Sequence, residues 1–142
     1  MKKTRLILIY LIVFIFSLSG CTKQYDYNFE ELVNSAEEIY IVDIEREEYY
    51  GDISIDYLMK IENEFENFLT DLTSLKFEYS ILLSPLNNTG INIMIVCNNE
   101  QYDYVIIGLS GIEEFKNNKQ IYLHNAMCDK DTFNNILNKY YK

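Results

Sequence analysis

Basic residues, proline and tryptophan are scarce in this chain of 142 residues. Twelve lysines and arginines face twenty-two acids, which gives a formal net charge of −10. Nucleic-acid binding needs clustered basic side chains that displace counterions, so this balance argues against a nucleic-acid partner. One proline and no tryptophan, beside abundant isoleucine, asparagine and tyrosine, are typical of AT-rich codon usage and indicate a low-GC bacterium.

Histidine and cysteine are scarce as well. His124 is the only histidine, and the three cysteines are Cys21, Cys97 and Cys128. A structural zinc site takes four ligands, which this set reaches only with the help of carboxylates, so we expect no metal and no cofactor. His124 and Cys128 lie four residues apart, but a histidine at a strand end beside a core cysteine explains them better than thiol catalysis does.

Paired carboxylates occur at Glu47-Glu48 and at Glu113-Glu114. Such pairs do acid–base chemistry only where a cleft raises one pKa, and no cleft is evident in the sequence. We therefore expect charged surface turns at both pairs, and no enzyme.

The first twenty residues have the layout of an export signal. Lys2, Lys3 and Arg5 precede an unbroken apolar run of eleven residues, Leu6 to Phe16, which gives way to serines and glycine. A helix that spans a bilayer needs about 18 to 20 apolar residues, so this run is too short for a permanent span.

The leader ends in Leu18-Ser19-Gly20-Cys21, a lipobox that resembles the signal of bacterial lipoproteins. The resemblance implies a lipid on the Cys21 sulfur, cleavage between Gly20 and Cys21, and a mature chain on the extracytoplasmic face of the cell membrane. Two acyl chains give a stable anchor where one gives a reversible one. The membrane is therefore the expected first partner.

We expect a signal peptide over residues 1–20, a lipidated tether over 21–28 and one domain over 29–142. The leader holds three of the twelve bases and no acid, so the mature chain carries nine against twenty-two, net −13. Residues 25–71 hold fifteen acids and two bases. This acidic half predicts either a solvated surface or a face for a basic protein partner.

Apolar periodicity predicts an α+β domain, with an antiparallel sheet of about five strands and two helices, one long and one C-terminal, packed on one face. The order of elements is similar to that of small uncharacterised lipoproteins of low-GC bacteria. Helices are expected at about 28–37, 56–73 and from Phe133 to Tyr140, and strands at 39–44, 75–83, 91–97, 102–107, 112–115 and 120–124. Asp129 or Asp131 is available to cap the last helix, and residues 116–119, with two asparagines, are expected to form the turn before the last strand.

Two candidate features remain in the mature chain. Cys97 and Cys128 either form a disulfide, which an exported location permits, or stay as two buried thiols. Tyr49 and Tyr50 lie in a polar connection and form a candidate binding patch, since tyrosine combines apolar area with a polar tip.

The leading hypothesis for the function is a membrane-anchored, non-catalytic binding or interaction module of the cell envelope. It depends on the lipobox, the acidic half and the missing catalytic set. The alternative is an inhibitor or immunity-type lipoprotein that neutralises a basic toxin or hydrolase.

Overall fold

A computed structural model describes residues 24–46, 53–79 and 87–141. These residues form an α+β domain of three helices and nine strands. The helices are α1 (Phe29–Ser35), α2 (Phe65–Leu72) and α3 (Lys130–Tyr140). The strands are β1 (Gln24–Tyr25), β2 (Ala36–Arg46), β3 (Ile53–Lys60), β4 (Phe77–Tyr79), β5 (Gly90–Cys97), β6 (Tyr104–Gly108), β7 (Gly111–Lys116), β8 (Lys119–His124) and β9 (Ala126–Cys128).

Six strands form the main antiparallel sheet, in the order β3-β2-β5-β6-β7-β8. The eleven-residue β2 pairs with both β3 and β5, and the remaining pairs join consecutive strands. Asn117 and Asn118 link β7 to β8 with φ angles of 52° and 60°. Asparagine tolerates this left-handed region better than most residues, so it suits the tight turn of a hairpin.

The second sheet has three short antiparallel strands in the order β1-β4-β9. Tyr25 of β1 lies opposite Phe77 of β4, which also lies opposite Cys128 of β9. The sheet thus joins the first described residues to the middle of the chain and to the segment before α3.

Buried side chains form two core clusters. The larger core combines residues of all three helices with alternate strand positions such as Ile39, Ile93 and Val105. The smaller core contains the intervening positions, Val42, Ile44, Met94, Ile106 and Phe115. Because successive side chains of a strand point to opposite faces, the two cores lie on opposite faces of the main sheet.

The α+β prediction is confirmed, but the sheet is larger than the predicted five strands. Residues 56–60, which the helical pattern assigned to a long helix, belong to β3, and the helix covers only Phe65–Leu72. The apolar residues of this segment fit both the helical and the strand periodicity. Pairing of β3 with β2 makes the strand the more stable of the two. Residues 24–28 were predicted as part of the tether, but Gln24 and Tyr25 of this segment form strand β1.

The helix ends follow ordinary capping chemistry. The Asp129 carboxylate accepts a hydrogen bond from the Thr132 backbone N–H at 2.8 Å, which confirms the predicted cap of the C-terminal helix. Asn28 caps α1 in the same way through the Glu31 backbone N–H. The predicted strand over 75–83 appears as β4, and its residues 80–83 lie outside the described part of the chain.

Candidate functional site

Four of the predicted site residues lie outside the described residues: Gly20 and Cys21 of the lipobox, and Tyr49 and Tyr50 of the predicted binding patch. Of the predicted site residues, the structure therefore describes only Cys97 and Cys128.

Cys97, at the end of β5, and Cys128, at the end of β9, are free, buried thiols in the structure and form no disulfide. Burial raises the pKa of Cys97 to about 11 and that of Cys128 to about 12. The thiolate is the nucleophilic form of cysteine, so neither residue is activated for chemistry at neutral pH.

Tyr25, Tyr27, Glu114 and His124 form a hydrogen-bonded group, which we call the Tyr–His–Glu cluster. His124 Nε2 lies 2.9 Å from Glu114 Oε1, and the Tyr27 hydroxyl donates to the same oxygen at 3.1 Å. The Tyr25 hydroxyl bonds to His124 Nδ1. The two tyrosines come from the N-terminal segment and the other two residues from β7 and β8, so the cluster ties the start of the domain to the main sheet.

The cluster is largely shielded from solvent. The side chains of His124 and Glu114 are 15% and 17% exposed. The ring of His124 lies 5.0 Å from that of Tyr27 and 4.4 Å from that of Tyr122, centroid to centroid. Burial raises the pKa of Tyr25 to about 12, and burial followed by the Glu114 charge raises that of Tyr27. Both phenols therefore stay neutral and can donate.

Every hydrogen bond of the cluster can form around one tautomer of the imidazole. If Tyr25 donates to Nδ1 of His124, the Nε2–H is left to donate to Glu114, as a neutral imidazole requires. Both ring nitrogens are then engaged within the protein. The cluster thus holds structure in place, and its histidine offers no spare nitrogen to a ligand.

A groove of about 580 Å³ runs along the N-terminal segment beside this cluster. It is lined by residues 24–30, by Val33 and Asn34 of α1, and by Thr73 and Leu75 beyond α2. Its lining residues include the aromatic Tyr25, Tyr27 and Phe29 and the acidic Asp26 and Glu30. Among these lining residues none is basic, so the groove suits a ligand that carries positive charge and some apolar surface.

The other face of the main sheet holds a buried ion pair between Arg46 and Glu113. Arg46 Nη2 lies 2.5 Å from Glu113 Oε2, and the two side chains are 7% and 0% exposed. Glu113 Oε1 accepts the backbone N–H of Asn88 at 2.7 Å, and the Asn88 carbonyl accepts from Arg46 Nε at 3.1 Å. Burial raises the pKa of Glu113, while the guanidinium and the Asn88 N–H oppose that rise.

The prediction of a charged surface turn at Glu113-Glu114 is therefore wrong. Both residues lie inside β7, one on each face of the sheet, where packing against that face largely shields the side chain from solvent. The other pair, Glu47-Glu48, lies outside the described residues. Sequence analysis also missed Tyr25 and Tyr27, although their spacing of two before the first helix marks one face of an extended segment.

Among residues 24–46, 53–79 and 87–141, no group of three or more histidine, cysteine, aspartate or glutamate side chains is arranged to hold a metal ion. Within the same ranges no helix is both long and apolar enough to cross a membrane.

The fold and the site together define an α+β domain with an acidic, aromatic groove at its N-terminal segment. No family model, no curated protein and no solved structure matches the chain.

Proposed function

We propose that this protein is a lipid-anchored, non-catalytic binding module on the extracytoplasmic face of the cell membrane, and that its groove takes a segment of a basic protein partner. The observation that carries the proposal is the groove of about 580 Å³, which is built by the N-terminal segment and backed by the Tyr–His–Glu cluster. Pre-formed, partly aromatic concavities are the usual form of binding sites.

The state of the reactive groups favours binding over catalysis. The two described thiols are protonated at neutral pH because burial raises their pKa. The histidine uses both ring nitrogens for partners inside the domain. A general base or nucleophile needs a free atom aimed at a substrate, and these groups are already occupied.

The charge of the groove supports a basic partner. Asp26 and Glu30 lie in its wall, within the half of the chain that holds fifteen acids and two bases. Opposite charges speed encounter and disfavour wrong partners more than they add affinity, so the aromatic side chains would supply the contact area.

The lipobox supports the anchor and the location. Cys21 would carry the lipid, which places the first described residue, Gln24, three residues from the membrane attachment. We also propose that the helices cover one face of the main sheet, because the larger core joins residues of all three helices to one set of alternate strand positions.

A basic probe peptide tests the proposal. We expect a fluorescent lysine- and arginine-rich peptide with two aromatic residues to bind the full-length protein reconstituted in neutral phosphatidylcholine vesicles. The double change Asp26→Asn with Glu30→Gln should weaken this binding about tenfold, or about 1.4 kcal/mol. The matched control is Glu64→Gln with Glu100→Gln, two exposed acids outside the groove, which should change it less than about twofold. Equal losses in both variants would contradict a groove site.

The alternative function, an inhibitor or immunity-type lipoprotein, is favoured by the net charge of −13 on the mature chain. Such a charge suits capture of a basic toxin or hydrolase at the cell surface. Its distinctive result is loss of self-protection on deletion of the gene, restored by the wild-type chain and not by the Asp26→Asn, Glu30→Gln variant.

A further inference from the structure

The edge strand β8 exposes an unusual combination of side chains. Ile121 is 49% exposed and Tyr122 is 57% exposed, and Lys119 at the start of the strand is exposed as well. β8 ends the order of the main sheet among the described strands, so these side chains lie along its edge, Lys119 and Ile121 on one face and Tyr122 on the other. We call Lys119, Ile121 and Tyr122, together with Tyr79, the β8 edge.

Tyr79 belongs to this edge through a chain of ring contacts. Its ring lies 5.0 Å from that of Tyr25, which lies 5.6 Å from His124, which lies 4.4 Å from Tyr122. Tyr79 is 50% exposed. Two exposed tyrosines therefore flank a supporting pair that is itself fixed by a hydrogen bond.

The N-terminus of the described chain meets the molecule at this edge. Tyr25 contacts both Tyr79 and His124. Tyr25 is four positions after Cys21, and an extended chain spans at most about 3.6 Å per residue, or about 14 Å in all. A lipid on Cys21 would thus hold Tyr25 within about 14 Å of the membrane, and the β8 edge on the same side of the domain.

Charge divides the two edges of the main sheet. Strands β2 and β3 carry five acidic and two basic residues, whereas β7 and β8 carry two of each. An anionic membrane surface repels the β2–β3 edge more strongly because that edge carries the larger excess of acidic residues. The repulsion acts over a Debye length of about 8 Å. The edge beside the anchor is also the one that the membrane repels less.

We propose that the β8 edge rests in the headgroup layer of the membrane, with Tyr79 and Tyr122 as interfacial anchors and Lys119 facing lipid phosphates. Tyrosine is favoured at membrane interfaces because its ring is apolar and its tip is polar. The tether supplies a high effective concentration, so weak contacts suffice. The proposal rests on the proposed lipid anchor and adds the orientation of the domain on the bilayer.

This orientation has a geometric consequence. Strands lie about 4.8 Å apart, so the β3 edge stands about 24 Å from the β8 edge. Tyr25 also lines the groove, so the groove lies beside the membrane-facing edge. A partner would meet the groove near the headgroups, while the acidic β2–β3 edge faces away from the membrane.

The complete lack of tryptophan allows a direct test with single reporters. Tyr122→Trp places one on the β8 edge, and Tyr57→Trp places the matched control on β3, where Tyr57 is 61% exposed. Each full-length variant is lipidated in a bacterial host and reconstituted in phosphatidylcholine–phosphatidylglycerol vesicles, with and without brominated acyl chains. Far-ultraviolet circular dichroism checks that both variants keep the wild-type fold.

We expect brominated lipid to reduce the fluorescence of the Tyr122→Trp protein about twofold and to leave the Tyr57→Trp protein nearly unchanged. Equal quenching of both reporters, or no quenching at position 122, overturns the proposed orientation. Emission at position 122 that changes only with protein density overturns it too, since a second copy would then cover the edge.

Mass and membrane fractionation of the same samples separate this proposal from the proposed function. A lipidated, membrane-bound protein whose Tyr122→Trp reporter is not quenched loses the orientation alone and keeps the anchor. A protein without lipid on Cys21 loses both.

Discussion

Glu113 and Glu114 are neighbours on β7 with opposite surroundings. Glu113 points into one face of the sheet, where it pairs with the guanidinium of Arg46 and the backbone N–H of Asn88. Glu114 points into the other face, where its partners are the neutral phenol of Tyr27 and the imidazole of His124. One carboxylate thus has a permanent cation, and the other has groups that hold no fixed charge.

The different surroundings of the two carboxylates give them different roles, Glu113 in the stability of the domain and Glu114 in the geometry of the groove. Arginine stays protonated at all ordinary pH values, so removal of Glu113 would leave a buried charge without its partner. Glu114 lies beside the groove and holds the N-terminal segment through hydrogen bonds of ordinary strength. Stability should depend mainly on Glu113, and the geometry of the groove mainly on Glu114.

The largest expected effect is that of Glu113→Gln. The variant keeps the size of the side chain but leaves Arg46 buried without a counter-charge, so we expect a loss of about 3 to 5 kcal/mol in the free energy of unfolding. Urea denaturation measures it. Glu114→Gln is the control within the same strand and should cost about 1 kcal/mol. If the two variants lose equal stability, the comparison between the carboxylates fails.

Gly108→Ala tests whether Asn88, which donates its backbone N–H to Glu113, is needed for the stability of the buried ion pair. A Cβ at Gly108 would collide with the side-chain oxygens of Asn88 and Asn92. Asn88 positions the N–H that Glu113 accepts, and its side chain also bonds to the Gly111 carbonyl at 2.9 Å. We expect a loss of about 1 to 3 kcal/mol by thermal denaturation.

The control for Gly108→Ala is Glu100→Ala in an exposed turn, which should stay within about 0.5 kcal/mol of the wild type. If Gly108→Ala leaves the stability unchanged, Asn88 can move aside without cost. Glu113 would then depend on Arg46 alone.

The elements that could be predicted from the sequence are those specified by residues close together in the chain. The C-terminal helix has an aspartate cap and a repeating apolar face, and the β7–β8 hairpin has asparagines at its turn, so both were expected. β3 was not, because its apolar residues fit a helix equally well and only the free edge of β2 selects the strand.

The partners of the two carboxylates could not be predicted for a similar reason. Arg46 lies 67 residues from Glu113, and Tyr27 lies 87 residues from Glu114. Nothing in the local pattern joins residues so far apart in the chain. Strand order brings them together, and strand order depends on the packing of the whole domain.

His124→Phe tests the other side of the comparison. Phenylalanine keeps the ring contacts but removes both hydrogen bonds, so Glu114 and Tyr25 each lose a partner. We expect about 1 to 2 kcal/mol less stability, with faster amide hydrogen exchange at residues 24–27. Tyr122→Phe, which keeps the histidine, is the control. Unchanged exchange in His124→Phe would show that the cluster does not hold the N-terminal segment.

The smallest expected effect is the pH dependence that Cys97 and Cys128 contribute from the larger core. Their folded pKa values, about 11 and about 12, stand above the ordinary value of 9.0. Above pH 9 the unfolded chain gives up protons that the native thiols keep, so stability is complete below pH 9 and falls as pH rises towards 11.

At pH 9 the loss relative to pH 7 should stay below about 1 kcal/mol for the two thiols together. Urea denaturation at both pH values measures it, and the Cys97→Ala, Cys128→Ala variant should show a flatter profile. The smaller core among the described residues contains no cysteine, so Glu113→Gln should leave the slope as it is. If Glu113→Gln changes how steeply the free energy of unfolding falls with pH, the two faces of the sheet do not respond independently.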